Sequence, residues 1–190
     1  MEHPILPLPR ETSRLILRPP SVADAVAIHE AIRESYADLH RWMDWASTIQ
    51  SLDETETVRE QAGRKFLSGE DFAVDAFLKE TGQFVLGVGL HPRNWNVPKF
   101  EIGYWCRSSM QRRGYTTEAV RSIAALAFNE MGANKVEIRC DSRNVRSRRV
   151  AELAGFRQEA QLANDDRAND GSLRITIVYA MLPEDFPTDR

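Results

Sequence analysis

Apolar residues in this chain fall into short runs whose spacing alternates between strand-like and helix-like. Leu15-Ile16-Leu17-Arg18 reads as a first strand, stopped by Pro19-Pro20. From Asp24 to Glu34, Ala25, Ile28 and Ile32 recur at helical spacing, with Ser21 or Asp24 as the cap. Tyr36 to Trp45 is aromatic and mixed, and predicts a short second helix or turn. Ser51-Leu52-Asp53-Glu54 has the Ser-x-x-Glu spacing of a capping box and predicts a helix to about Leu67, ended by Ser68-Gly69-Glu70. Phe72 to Leu78 and Phe84 to Leu90, joined by Lys79-Glu80-Thr81-Gly82, predict a hairpin. A loop with two prolines is expected from His91 to Pro98, then a strand from Lys99 to Cys106. A helix to Met131 with Gly132 as its cap, a strand from Lys135 to Cys140 and a helix from Asn144 to Ala154 closed by Gly155 follow. Phe156 to Leu162 and Leu173 to Leu182 are the last strands, joined by a polar loop from Ala163 to Gly171. The order predicts a mixed α/β single domain.

At 190 residues the chain is long enough for one domain with a full core. No apolar run approaches the roughly 18 residues that span a bilayer, so no membrane partner is expected. Met1 to Arg10 holds three prolines and no basic leader, and reads as an extended arm rather than a signal peptide. Cys106 and Cys140 sit in apolar runs, as small buried residues of a reducing cytoplasm would. The four histidines lack ligand spacing, and no metal is expected. A net charge of −3 argues against nucleic acid as a partner, but the charge is uneven. Residues 111–157 carry +5 and the remainder −8, which suits an anionic cofactor on one side and a cationic substrate on the other; charge scattered over solvated faces is the plainer alternative.

Gln111-Arg112-Arg113-Gly114-Tyr115-Thr116 joins a strand to a helix through a glycine turn. A helix N-terminus leaves about four N–H groups unpaired and carries partial positive charge, and glycine lets backbone approach a bulky anion. Such a turn is a phosphate seat. Asn144-Val145-Arg146-Ser147, opening a later helix, is a second element of the same kind of site.

With Arg14-Leu15-Ile16-Leu17-Arg18, Trp42-Met43-Asp44-Trp45, Glu101-Ile102-Gly103-Tyr104-Trp105, Glu118-Ala119, Gly155-Phe156 and Tyr179, these motifs resemble the GNAT acyl-CoA-dependent N-acyltransferases, and within them the RimJ/RimL-type protein N-terminal acetyltransferases. The resemblance covers about Ser13 to Leu182. It implies an extended arm over residues 1–12 and a single GNAT domain over 13–190, with a mainly antiparallel central sheet flanked by helices. Acetyl-CoA is the cofactor it implies. Tyr104, Trp105, Cys106 and Arg107 would hold the pantetheine at a strand bulge, chiefly through backbone N–H groups. Gln111, Arg112, Arg113, Gly114, Tyr115 and Thr116 would hold the pyrophosphate. Asn144 would contact pantetheine, and Ser147 would donate to the departing thiolate. Asp166 or Glu101 would be the general base. Tyr36, His40 and Trp45, with Glu34 and Asp38, would line the acceptor groove, whereas Trp42 reads first as core.

Two positions depart from the pattern: Thr116 stands where Gly or Ala is usual, and Ile175 where Asp often follows, which leaves Arg174 short of a partner. The implied reaction is acetyl transfer to a primary amine by direct attack. The acceptor is a protein or peptide N-terminus, with a ribosomal protein, a polyamine or an amine antibiotic as variants. A catalytically silent acyl-CoA-binding module and a homodimer both stay open. Ser147→Ala should cut turnover while leaving acetyl-CoA affinity nearly intact, as steady-state kinetics beside a binding titration would read.

Overall fold

The computed structural model describes residues 4–186; the first three residues of the expected arm, and residues 187–190, lie outside the described residues. Eight strands form one sheet, numbered along the chain as β1 (Arg10–Glu11), β2 (Leu15–Arg18), β3 (Phe72–Leu78), β4 (Phe84–Asn94), β5 (Lys99–Cys106), β6 (Lys135–Asp141), β7 (Arg157–Arg167) and β8 (Leu173–Met181). Their order across the sheet is β1-β2-β3-β4-β5-β6-β8-β7. Helices α1 (Ala25–Trp42), α2 (Leu52–Ser68), α3 (Tyr115–Asn129) and α4 (Val145–Ala154) flank it. Every described pairing is antiparallel except that of β5 with β6.

The main core sets Ile123, Ala124 and Ala127 of α3 with Leu17, Val74, Leu86 and Ile138 of the sheet. A smaller cluster sets Ile28, Ile32 and Leu39 of α1 with Phe77 and Phe84. Helix α1 runs eight residues beyond the expected end at Glu34. Ile28, Ile32, Ser35 and Leu39 are all buried and keep the helical spacing, and no Gly or Pro interrupts them, so Tyr36 to Trp42 continues the helix. A 3-10 turn, Asp44–Ala46, comes after it. The capping box of α2 forms as expected, with Ser51 and Glu54 bonded reciprocally and Gly69 left-handed at the far end. Helix α3 ends at Asn129, two residues before the expected Met131.

Two expected loops are strand instead. Strand β4 continues through Pro92, which pairs with Phe100 just before a register shift, where a missing N–H is tolerated. Strand β7 continues past Leu162 to Arg167 although that extension, Ala163-Asn164-Asp165-Asp166-Arg167, is almost wholly polar and exposed, because it lies on an edge strand with little apolar surface to bury. Its far end is pinned by Asp166 opposite Arg174, an ion pair of 2.9 Å.

Behind α1 and α2 lies a charged cluster. Arg59 of α2 donates to Asp75 of β3 at 2.6 Å, and Arg18 of β2 donates to Asp24 at 2.6 Å. Asp75 is 2% exposed, and burial pushes its carboxyl up to about 6 against the pull of Arg59. An unfolded Asp titrates near 4, so between about pH 4 and 6 the folded state holds more protons and this contribution to stability falls as pH rises. Urea unfolding of the wild type and Asp75→Asn should show it: from pH 4 to 7 the wild type should lose on the order of 2 kcal/mol relative to the variant.

Candidate active site

Strands β5 and β6 pair over three residue pairs, Lys99 with Lys135, Phe100 with Val136 and Glu101 with Glu137, and then diverge. The Arg107 N–H bonds Val85 O on the β4 side. Alternation along a strand therefore turns the N–H groups of Tyr104 and Cys106 toward the gap. No bulge is needed, contrary to the expectation: β5 stays in register with β4 from Ile102 through Cys106, and divergence from β6 alone exposes this edge. A cavity of about 460 Å³ lies at the divergence. Tyr104, Trp105 and Cys106 line it from β5, Gln111, Arg112 and Thr116 from the following turn, and Asn144 and Ser147 from the start of α4.

The turn before α3 leaves the helix start open. Arg112 (φ 62°) and Gly114 (φ 79°) are both left-handed. Among the described residues, the N–H groups of Tyr115, Thr116 and Thr117 have no backbone acceptor, since the first bond of the helix runs from Glu118 N to Gly114 O. A left-handed non-glycine costs about 1–3 kcal/mol and persists where its surroundings enforce it. Here Arg14 enforces it: its Nη1 donates to Arg113 O at 2.9 Å and its Nε to Glu118 at 2.7 Å, while its guanidinium lies 4.5 Å over the Tyr115 ring. Burial pushes Glu118 up, but the Thr12 hydroxyl and the Arg14 backbone and side chain more than offset this and hold it below its ordinary value. This role of Arg14 has no local signal, because the contacts span about a hundred positions of chain.

At the other wall, the Asn144 side chain accepts the Ser147 N–H at 3.1 Å and caps α4. The Tyr104 hydroxyl donates to Ser147 O at 3.0 Å and stands 3.0 Å from Ser147 Oγ. With its single proton on the carbonyl, it accepts from Oγ. Burial raises the Tyr104 hydroxyl, so it stays protonated. Burial also raises the Cys106 thiol, although the Thr116 side chain bonds it and pulls the other way. Trp105 lies flat across Gly87, where a Cβ would come within 2.5 Å of its ring nitrogen.

Other expected residues stand elsewhere. Asp166 is bonded to Arg174 and Glu101 to Arg93 (3.1 Å), and neither carboxylate lines the cavity. Arg174 pairs with Asp166 through Nη2, while its buried Nε has no hydrogen-bond partner among the described residues, in keeping with Ile175. Arg107 is taken by Glu34 at 2.6 Å. Arg113 and Tyr115 shape the turn without lining the cavity. Tyr36 and His40 fasten the chain after α1, through Ser47 O at 3.2 Å and Ala46 O at 3.0 Å, and are not in the lining either. Trp45 edges onto Trp105 at 6.1 Å. Trp42, read first as core, is half-buried and lines the cavity with Asp38.

The family model described as "Acetyltransferase (GNAT) domain" matches residues 14–157. The chain belongs to this family. It is an acetyl-CoA-dependent N-acetyltransferase. The Bacillus subtilis protein YdaF, provisionally named a ribosomal N-acetyltransferase, is 28% identical over 170 residues, 88% of this chain and 90% of that one. Among solved structures, Mycobacterium smegmatis RimJ with a coenzyme A disulfide superposes with a TM-score of 0.85 at 23% identity, covering 98% of this chain and 92% of that one. RimL, the acetyltransferase of ribosomal L7/L12, in complex with coenzyme A, gives 0.84 at 20% identity, covering 95% and 99%. At these identities the structures establish the fold. The chain's own residues fit the coenzyme: unpaired N–H groups at a helix start, a strand edge freed beside them, and Arg112, Arg146 and Arg149 on the lining.

Because Arg14 holds the turn without lining the cavity, Arg14→Ala should weaken acetyl-CoA binding by about 1 kcal/mol, roughly fivefold, in a calorimetric titration. Arg113→Ala, which leaves the backbone carbonyl in place, should change it by less.

Proposed function

We propose that the protein acetylates the N-terminal α-amino group of a protein or peptide, with a ribosomal protein as its natural acceptor. The observation that carries this reading is the cavity at the β5–β6 divergence, which has an anion seat at one end and a carboxylate with two indoles, Asp38, Trp42 and Trp105, on its lining. The names of YdaF and RimL, together with the ribosomal-protein-S5-alanine acetyltransferase of Vibrio fischeri (TM-score 0.82, 17% identity), support a protein acceptor.

Acetyl-CoA supplies the acetyl thioester. In this reading the N–H groups of Tyr115 and Thr116, with the Arg112 side chain, seat the pyrophosphate, and guanidinium forks match its oxygens. The N–H groups of Tyr104 and Cys106 that face the gap steady the negative charge developing on the acyl oxygen. Ser147 would turn its hydroxyl proton from Tyr104 to the departing sulfur and take in exchange the proton that the attacking nitrogen gives up, so that Tyr104 stays protonated. The amine nitrogen forms the new C–N bond as the C–S bond breaks. An α-amino group with a pKa of about 8 is partly neutral near pH 7, so it needs little help from a base. This agrees with the engagement of Asp166 and Glu101 by arginines. Among the described residues neither cysteine has a histidine partner, and no covalent acyl-enzyme is invoked.

Melting with acetyl-CoA at about 100 times its dissociation constant should raise Tm by roughly 5–10 °C, with little effect from ATP. Mass spectrometry of a peptide panel should then find the acetyl group on the free N-terminus and none on N-terminally blocked peptides. Turnover confined to polyamines or amine antibiotics would overturn the acceptor assignment.

A further inference from the structure

Asp38 contributes the one carboxylate on the cavity lining among the described residues. It stands one turn before Trp42 on α1, so both side chains look out from the same helix face. Its neighbour one turn earlier, Glu34, is fully engaged: it accepts from Arg107 at 2.6 Å and from the Ser109 N–H at 2.8 Å. Burial raises the Glu34 carboxyl, but its bonds to Ser109 and Arg107 outweigh this and hold it below its ordinary value. Asp38 is held more loosely. Gln111 Nε2 donates to it at 3.0 Å, and Arg146 Nη1 reaches its two oxygens at 3.3 and 3.4 Å. The same Nη1 donates to Gln111 Oε1 at 3.0 Å. Three side chains, from α1, the turn before α3 and α4, thus close a ring on the cavity wall.

The Asp38–Arg146 pair is the weak link of that ring. The two side chains are 41% and 60% exposed, and at that exposure an ion pair is worth about 0–1 kcal/mol. A guanidinium–phosphate contact is charge-assisted and can be bidentate. Arg146 and Gln111 both line the cavity that holds the anion seat.

We propose that Asp38 is the counter-ion for the acceptor's ammonium group, and that Arg146 occupies it until the phosphates of the coenzyme draw Arg146 away. This rests on the acetyl-CoA reading of the cavity and deepens it. Once Arg146 turns to phosphate, Asp38 is left uncompensated beside the Trp42 indole, and a carboxylate with an aromatic face is a receptor for an ammonium ion. Coenzyme therefore binds first and prepares the acceptor subsite. By linkage, a bound amine strengthens coenzyme binding by the same factor.

Asp38→Asn tests this in two independent readouts. In calorimetry with acetyl-CoA and no amine, the variant should bind at least as tightly as wild type and up to about fivefold more tightly, because a competitor for Arg146 is gone. That gain should vanish in an Arg146→Ala background. With saturating acetyl-CoA, KM for the amine should rise about tenfold or more while kcat changes much less. A melting temperature close to wild type would show that the variant is folded. Weaker coenzyme binding by Asp38→Asn, or an unchanged KM for the amine, would overturn the proposal. Kinetics are run on whichever amine is turned over, so a protein that takes only polyamines sinks the peptide assignment and still tests Asp38. Should no amine be acetylated, the acceptor reading fails alone, and the calorimetric comparison still decides whether Asp38 and coenzyme compete for Arg146.

Discussion

The site depends on one parallel pairing within a sheet that is otherwise antiparallel. A parallel neighbour cannot follow through a tight turn, so the chain between β5 and β6 must cross over one face, and α3 makes that crossing. The helix must begin near the end of β5, which places its unpaired N–H groups beside a strand edge that β6 leaves after Glu101. Two backbone features that would be costly if buried without partners, a freed strand edge and an open helix start, are thereby placed on a single cavity. A polar ligand with acceptors along its length can satisfy both.

Local signals in the sequence were sufficient where the cause was local. The capping box at Ser51 and Glu54, the left-handed Gly69 and the cap at Asn144 all formed where the spacing placed them, because each needs only a few consecutive residues. The stretch from Tyr104 to Thr116 was legible for the same reason: a strand, a glycine turn and a helix start are contiguous. The far end of strand β7, beyond Leu162, is not legible because exposed polar residues carry no alternation, and its extent is set by pairing with β8. The acceptor side was least legible. Which of Glu34 and Asp38, or of Trp42 and Trp45, faces the cavity depends on the rotation of α1 and on partners some seventy to a hundred positions away. Asp166 and Arg174 are only eight positions apart, but their contact depends on the pairing of β7 with β8.

Long-range side-chain contacts also give the anion seat its shape. The left-handed turn at Arg112 and Gly114 is held by Arg14, just before β2, whose guanidinium fits close enough that a Cβ on Gly114 would meet it at 3.4 Å. Thr12 and Arg14 converge on Glu118, so the first turn of α3 is tied to the start of the sheet. The seat is therefore a tertiary object: the glycine permits the turn, and the edge of the sheet keeps it in that form.

Two of the four tryptophans, Trp42 and Trp105, line the cavity, and a third, Trp45, touches Trp105. Trp105 packs over Gly87 and against Phe84, its ring tilted 42° to that of Phe84 at 5.3 Å, so its orientation is fixed before any ligand enters. The cavity thus carries its own fluorophores. A ligand that enters the cavity alters the polarity around an indole, and emission from the unlabelled protein can follow its arrival.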